Sequence, residues 1–245
     1  MLGFWCILDQ GEQKANIVST STVLARIRPD LSSLLGFRQE SGVEHLPTRL
    51  PAIDRLLGGC PRGRITEIVG PASSGRTSLL HSILGSARAR GEYCAIVDAT
   101  DAFDPETAAA SGAVLETMVW VRCGGNLEHA MKSADLLLHS GGFGVVALDL
   151  CDAPPQSARR IPISWWHRFR RAVESSDTVF AVLSSEPQAK SCATLAAEAG
   201  PGQGHFTGRH PYYLLEAVSY SMASRRPPRP GEARFRAEAR EEPYY

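Results

Sequence analysis

The sequence predicts an α/β domain in which a mainly parallel sheet carries helices on both faces. Three observations predict it. Apolar runs of strand length at 65–69, 93–98, 145–150 and 179–184 are separated by stretches with helical spacing, and strands that are apolar throughout must be covered on both sides. A glycine-flanked loop at 70–77 joins the first run to a helix. The 245 residues, 43% of them hydrophobic and 21% charged, suffice for one core of ordinary size with tails.

Residues 1–45 read as a helical N-terminal extension: Val23, Leu24, Ile27, Leu31, Leu34 and Leu35 recur at roughly helical spacing, with Pro29 as an interruption. The core follows over 46–222. A short helix at 52–57 runs into a turn built on Gly58, Gly59, Pro61 and Gly63, then the 65–69 strand. Beyond the loop, a helix over 77–90 stops at Gly91, and the 93–98 strand precedes a long helix over 126–139. Gly141, Gly142 and Gly144 lead into the 145–150 strand, a helix spans 164–175, and the 179–184 strand closes the alternation. The aromatic and apolar stretch within 205–223 predicts a strand or two at the sheet edge. Residues 223–245, rich in proline, arginine and glutamate, read as a disordered tail, because so few apolar side chains cannot offset the chain entropy of ordering.

Twenty-six basic side chains balance twenty-six acidic ones, so affinity for nucleic acid must reside in a local patch. No apolar stretch approaches the ~20 residues of a membrane-spanning helix, and residues 1–10 lack a basic start before a long apolar run. A cytoplasmic protein without a membrane partner is expected. The six cysteines, at 6, 60, 94, 123, 151 and 192, form no Cys-x-x-Cys pair and read as reduced thiols, with Cys94 and Cys151 behaving as small hydrophobes.

Gly70-Pro71-Ala72-Ser73-Ser74-Gly75-Arg76-Thr77 fits the phosphate-loop pattern G-x-x-x-x-G-K-[ST] everywhere but at the lysine. Glycines let backbone N–H groups curl around phosphate oxygens, the helix N-terminus adds a favourable dipole, and the Thr77 hydroxyl can ligate Mg²⁺. Arg76 keeps the positive charge but not the shape, since a planar guanidinium is no compact point charge. A glycine-rich strand-to-helix turn without a ligand is the alternative reading. Asp149 ends the 145–149 run, where a second Mg²⁺-organising carboxylate is wanted in a domain of this kind; as a bare strand end it would only cap the next turn.

The residues from Leu56 through Gly58-Gly59-Cys60-Pro61-Arg62-Gly63-Arg64-Ile65-Thr66-Glu67-Ile68-Val69 to Thr77 and Ser78 resemble the RecA recombinase core, with its G-G-L-P-x-G-R-I-x-E-I-x-G-P-E-S-S-G-K-T-T pattern. Cys94-Ala95-Ile96-Val97-Asp98-Ala99-Thr100-Asp101-Ala102-Phe103-Asp104-Pro105 resembles the family's C-A-F-I-D-A-E-H-A-L-D-P, and 145–150 resembles its Walker B strand. The likeness covers about 46–151. It implies a RecA-like P-loop NTPase fold with ATP and Mg²⁺ as cofactors. ATP would be held by Gly70, Pro71, Ala72, Ser73, Ser74, Gly75, Arg76, Thr77 and Ser78, with Asp104 toward the adenine, and the metal by Thr77 and Asp149. Departures are equally informative. The family's catalytic glutamate falls on Thr100, whose hydroxyl is no general base at neutral pH. Thr107 replaces the aromatic partner of the adenine, and Ser184-Ser185-Glu186-Pro187 lacks the family's glutamine switch. The combination implies weakened or lost ATP-driven strand exchange.

Residues 159–171 contain Arg159, Arg160, Arg168, Arg170 and Arg171 and no acid, a local charge of +5. They follow the 145–150 strand, where RecA-like proteins place their first DNA-contacting loop. With Ser164 as a cap, Trp165, Phe169 and Val173 would share one helix face, leaving the arginines and Trp166 for phosphate contact and base stacking on single-stranded DNA, for a partner protein, or for a merely solvated face. The resulting expectation is a RecA-like ATP-binding protein of DNA repair, recombination or the DNA-damage (SOS) response, with at most a weak DNA-dependent ATPase. The alternatives are a non-catalytic accessory to an error-prone polymerase, similar to the ImuA-type RecA relatives, and a RecA-fold regulatory ATPase that does not act on DNA. A homo-oligomer fits the first.

Overall fold

A computed structural model describes residues 4–6, 42–111, 115–226 and 231–239. In chain order its strands are β1 (Phe4–Cys6), β2 (His45–Leu46), β3 (Cys60–Pro61), β4 (Arg64–Val69), β5 (Tyr93–Asp98) and β6 (Met118–Arg122). They continue with β7 (Phe143–Leu150), β8 (Val179–Ser184), β9 (Leu195–Ala199), β10 (Gln203–Arg209), β11 (Tyr212–Ser224) and β12 (Gly231–Ala239). The helices are α1 (Pro51–Leu57), α2 (Arg76–Ala89), α3 (Pro105–Ala110), α4 (Leu127–Ser140), α5 (Pro155–Ala158) and α6 (Ile163–Glu174).

One sheet runs in the order β1-β12-β11-β9-β4-β8-β7-β5-β6, with β10 attached to β11. From β9 to β6 every pairing is parallel, and β11, β12 and β1 continue antiparallel. The fold is thus α/β, and period-two alternation divides its core. Val145 and Ala147 of β7 join the cluster containing Leu79, Leu80 and Ile83 of α2, while Val146, Leu148 and Leu150 join the cluster containing Met131 of α4 and Phe169 of α6. Because β4, β7 and β8 are buried on both faces, their apolar runs are continuous, and these strands stand within two residues of their predicted bounds.

The tail reading is corrected over Gly231–Ala239. This stretch is a strand, paired with β11 from Ala217↔Glu238 to Ser224↔Gly231, with Phe235 and Ala237 buried. Its composition is that of a disordered chain, yet Ala233, Phe235 and Ala237 alternate with Arg234, Arg236 and Glu238. A strand added to an existing sheet needs one apolar side only. The N-terminal extension is corrected over Phe4–Cys6, a strand on β12. The helical reading of 22–37 lies outside the described residues, as do 227–230 and 240–245. Among the described residues no helix is long and apolar enough to cross a membrane, and Cys60, Cys94, Cys123, Cys151 and Cys192 are free thiols.

Candidate functional site

The phosphate loop joins the carboxyl end of β4 to α2, in the middle of the sheet. The Gly70 N–H donates to the Ser184 carbonyl at 3.2 Å, tying the loop to the end of β8. The chain then turns through Ser73 at φ 57° and Gly75 at φ 81°, and a Cβ at Gly70 would lie 2.6 Å from the Ala199 carbonyl oxygen, so neither Gly70 nor Gly75 tolerates a side chain. Pro71, Ala72, Ser73 and Thr77 are exposed, whereas Ser74, Gly75, Arg76 and Ser78 are buried. Arg76 is only 5% exposed, and its Nη1 and the Ser74 Oγ are buried without hydrogen-bond partners among the described residues. A buried guanidinium N–H lacking an acceptor is costly, and an anion at the N-terminus of α2 would satisfy it. The loop residues therefore fit a phosphate group.

Asp149, near the end of β7, lies in register with Asp98 at the end of β5. Both are buried, at 5% and 0% exposure. Burial raises the Asp149 carboxyl pKa, and the neighbouring Asp98 charge raises it further. The Cys151 N–H, donating to Oδ1 at 2.8 Å, and the Arg76 charge oppose the rise. Among the described residues no cluster of three or more His, Cys, Asp or Glu could hold a metal unaided. The Thr77 hydroxyl and the Asp149 carboxylate are oxygen donors of the kind Mg²⁺ takes, and phosphate oxygens would be needed beside them to complete its shell.

Asp98 carries a role that the sequence reading missed. Its Oδ1 accepts the N–H of Thr100 at 3.3 Å and of Ala102 at 3.1 Å, and its Oδ2 accepts the N–H of Phe103 at 2.9 Å and the Trp120 Nε1–H at 3.3 Å. One buried carboxylate thus shapes the whole 99–104 turn. Thr100 occupies that turn with a hydroxyl and no carboxylate. Asp101, at φ 61°, faces Arg122 at 3.1 Å and the Gly124 N–H at 3.2 Å. Asp104 caps α3, accepting the Glu106 N–H at 3.1 Å and the Thr107 hydroxyl, and these bonds hold its pKa below the usual carboxylate range.

The arginine segment differs from its sequence reading. Trp166, read as a stacking residue, is 1% exposed and packs edge-on to Phe169 at 5.8 Å, so it belongs to the core. The reason is that Trp166, at i−3 from Phe169, fits the same helix face as well as Trp165 does: Phe169 and Val173 are buried as expected, α6 adds Trp166 and Ala172 to them and leaves Trp165 half-buried under Arg168, and Pro162 instead of Ser164 stands at its N-cap. Arg159 makes two bonds to Glu186, at 2.7 and 2.6 Å, and Arg168 two to Asp135, at 2.5 and 2.6 Å. Arg170 pairs with Glu174 at 3.1 Å. Arg160 and Arg171 are exposed and make no ion pair among the described residues. Glu186 and Asp135 carried no local signal, since they lie 27 and 33 residues from their partners.

Comparison with known proteins agrees with this geometry. The model of the RecA N-terminal domain matches residues 31–158. The chain is 39% identical over 117 residues to protein RecA of Bifidobacterium longum (strain NCC 2705), covering 47% of this chain and 29% of that protein. It is 38% identical over 117 residues to protein RecA of Cutibacterium acnes, covering 47% and 33%, and 38% identical over 118 residues to protein RecA of Streptomyces avermitilis, covering 47% and 31%. The match therefore spans about a third or less of the relatives' length. Since the matched region contains the loop, the 99–104 turn and β7, and takes in over half of the chain, this protein belongs to the RecA family.

Proposed function

We propose that this chain binds ATP with Mg²⁺ through residues 70–78 and acts in DNA recombination, repair or the damage (SOS) response, turning nucleotide over slowly or not at all. The observation that carries the reading is the pair of buried groups in the loop that lack partners among the described residues, Arg76 Nη1 and Ser74 Oγ. Phosphate oxygens at the start of α2 supply what both lack. Bound there, Mg²⁺-ATP supplies a charge-neutralised phosphoryl group open to attack by water. Arg76 offers a fixed positive charge, while Thr77 and Asp149 would hold the metal. No carboxylate at 100 orients the water, because Thr100 can neither take nor hold its proton at neutral pH. Single-stranded DNA is the partner favoured by the exposed Arg160 and Arg171, in a cytoplasmic protein that assembles with further copies of itself.

Titration of the chain with Mg²⁺-ATP in a calorimeter tests this. Weak binding is expected, tightened by Arg76→Lys because a compact ammonium suits the loop better than a guanidinium. Absence of heat for both forms would make the site vestigial. Hydrolysis by the unmodified chain is expected to be far below that of a relative with lysine and glutamate in place, and Thr100→Glu with Arg76→Lys should raise it; robust DNA-stimulated turnover by the unmodified chain defeats the slow-turnover part. One observation favours a second reading: with Thr100 at the catalytic position and Arg159 and Arg168 already paired, the chain suits a non-catalytic accessory role beside an error-prone polymerase or other repair protein.

A further inference from the structure

The outer side of the phosphate loop is covered by two rings from the far end of the chain. Tyr220 of β11 and Phe235 of β12 are cross-strand partners, with ring centroids 5.2 Å apart, and they are 5% and 7% exposed. A Cβ placed on Gly75 would lie 2.7 Å from Tyr220 Cγ and 3.0 Å from Phe235 Cζ, so both rings rest on the loop backbone itself. The other edge of the Tyr220 ring meets Gly202, where a Cβ would stand 2.7 Å from Cε1, and the Gly202 N–H donates to the Ser73 carbonyl at 3.1 Å. Tyr220 also shares a hydrogen bond with Ser78, in the first turn of α2.

We propose that Tyr220 and Phe235 are positioning residues of the phosphate loop, fixing Gly75 and the turn into α2 before any nucleotide arrives. The inference rests on the nucleotide-binding reading above. A loop that binds phosphate through backbone N–H groups must hold those groups in one orientation, and Gly75, in the left-handed region, is the residue most free to leave it. Rings packed against that backbone remove the freedom in advance, so that less ordering is left to binding. The β11–β12 ribbon is then part of the nucleotide site, although it lies outside the region matched by the family model.

Calorimetric titration with Mg²⁺-ATP, paired with amide exchange of residues 74–77, tests the proposal. Tyr220→Leu and Phe235→Leu keep apolar volume but lose the flat ring, and each should weaken binding about tenfold and speed exchange at those amides. Tyr220→Phe keeps the ring on Gly75 and loses only the bond to Ser78, so its affinity and exchange should lie between those of the parent and of Tyr220→Leu. Met222→Ala, a buried site on the same strand, should lower thermal stability yet leave affinity and exchange at 74–77 unchanged. Parental affinity in both leucine variants overturns the proposal, as does a loss in Met222→Ala equal to theirs. If the parent gives no heat with ATP the nucleotide reading falls, and exchange alone decides: unchanged amides in the leucine variants overturn the positioning role, faster ones support it.

Discussion

At the scale of single residues, the region around the loop is set by groups buried without full compensation. His81 in α2 is 2% exposed, stands edge-on to Phe103 with ring centroids 5.9 Å apart, and has no partner at Nε2 among the described residues. Burial pushes its pKa down to about 4 from 6.5, and the Asp104 charge opposes the fall. The folded pKa therefore lies below the unfolded one, and the unfolded chain takes up the proton first as pH drops. Stability is complete above about pH 6.5 and falls between there and about pH 4, by up to ~3 kcal/mol from this group. Urea unfolding at pH 7 and pH 4.5 checks it: the parent should lose more stability than His81→Leu across that interval. Equal losses would mean that the imidazole is not held neutral in the folded state.

The elements differ in how plainly the sequence announces them, and α6 shows both outcomes. Its limits and the burial of Phe169 and Val173 follow from amphipathic spacing, but the tryptophan that joins them in the core is Trp166 and not Trp165. Two adjacent tryptophans at i−3 and i−4 both reach Phe169, with ring centroids 5.8 Å from it in each case, and only the packing of the whole core makes Trp166 the enclosed one. Trp166→Ala should accordingly cost about 3–5 kcal/mol of unfolding free energy, and Trp165→Ala clearly less, as read from denaturant midpoints at constant slope. Similar costs for the two would make Trp165 as much a core residue as Trp166. The β4–loop–α2 unit was legible because its determinants are contiguous in the chain. β12 was not, because its three inward side chains have meaning only beside β11. The same holds within the site: residues 70–77 and Asp149 could be found by pattern, whereas Tyr220 and Phe235 reach Gly75 from 145 and 160 positions away. Asp98, which resembles any strand-end aspartate in sequence, reveals its part only through the four donors that converge on it.

For the whole molecule, charge is balanced globally and largely balanced locally as well. Of the five arginines in 159–171, three are ion-paired within the fold, which leaves Arg160 and Arg171 as the exposed cations that a polyanion meets first. Arg159 is held by Glu186, which follows β8, so this pair also bridges the segments after two neighbouring strands. Both its side chains are more than a third exposed, and such pairs are worth at most ~1 kcal/mol, so a strand of phosphates can compete for the guanidinium. Binding of single-stranded DNA should thus depend on salt through few contacts. Arg160→Ala with Arg171→Ala should lower the slope of log affinity against log salt by about 1.4, at ~0.7 per lost phosphate contact. Arg159→Ala should change the slope less, because its charge is already neutralised, and Glu186→Gln should strengthen binding by freeing it. In the Arg159→Ala background Glu186→Gln should then have no further effect, which separates local release from a general change in field. Affinity and slope unchanged in the Arg160, Arg171 double variant would remove this face as the DNA contact and leave it to a protein partner.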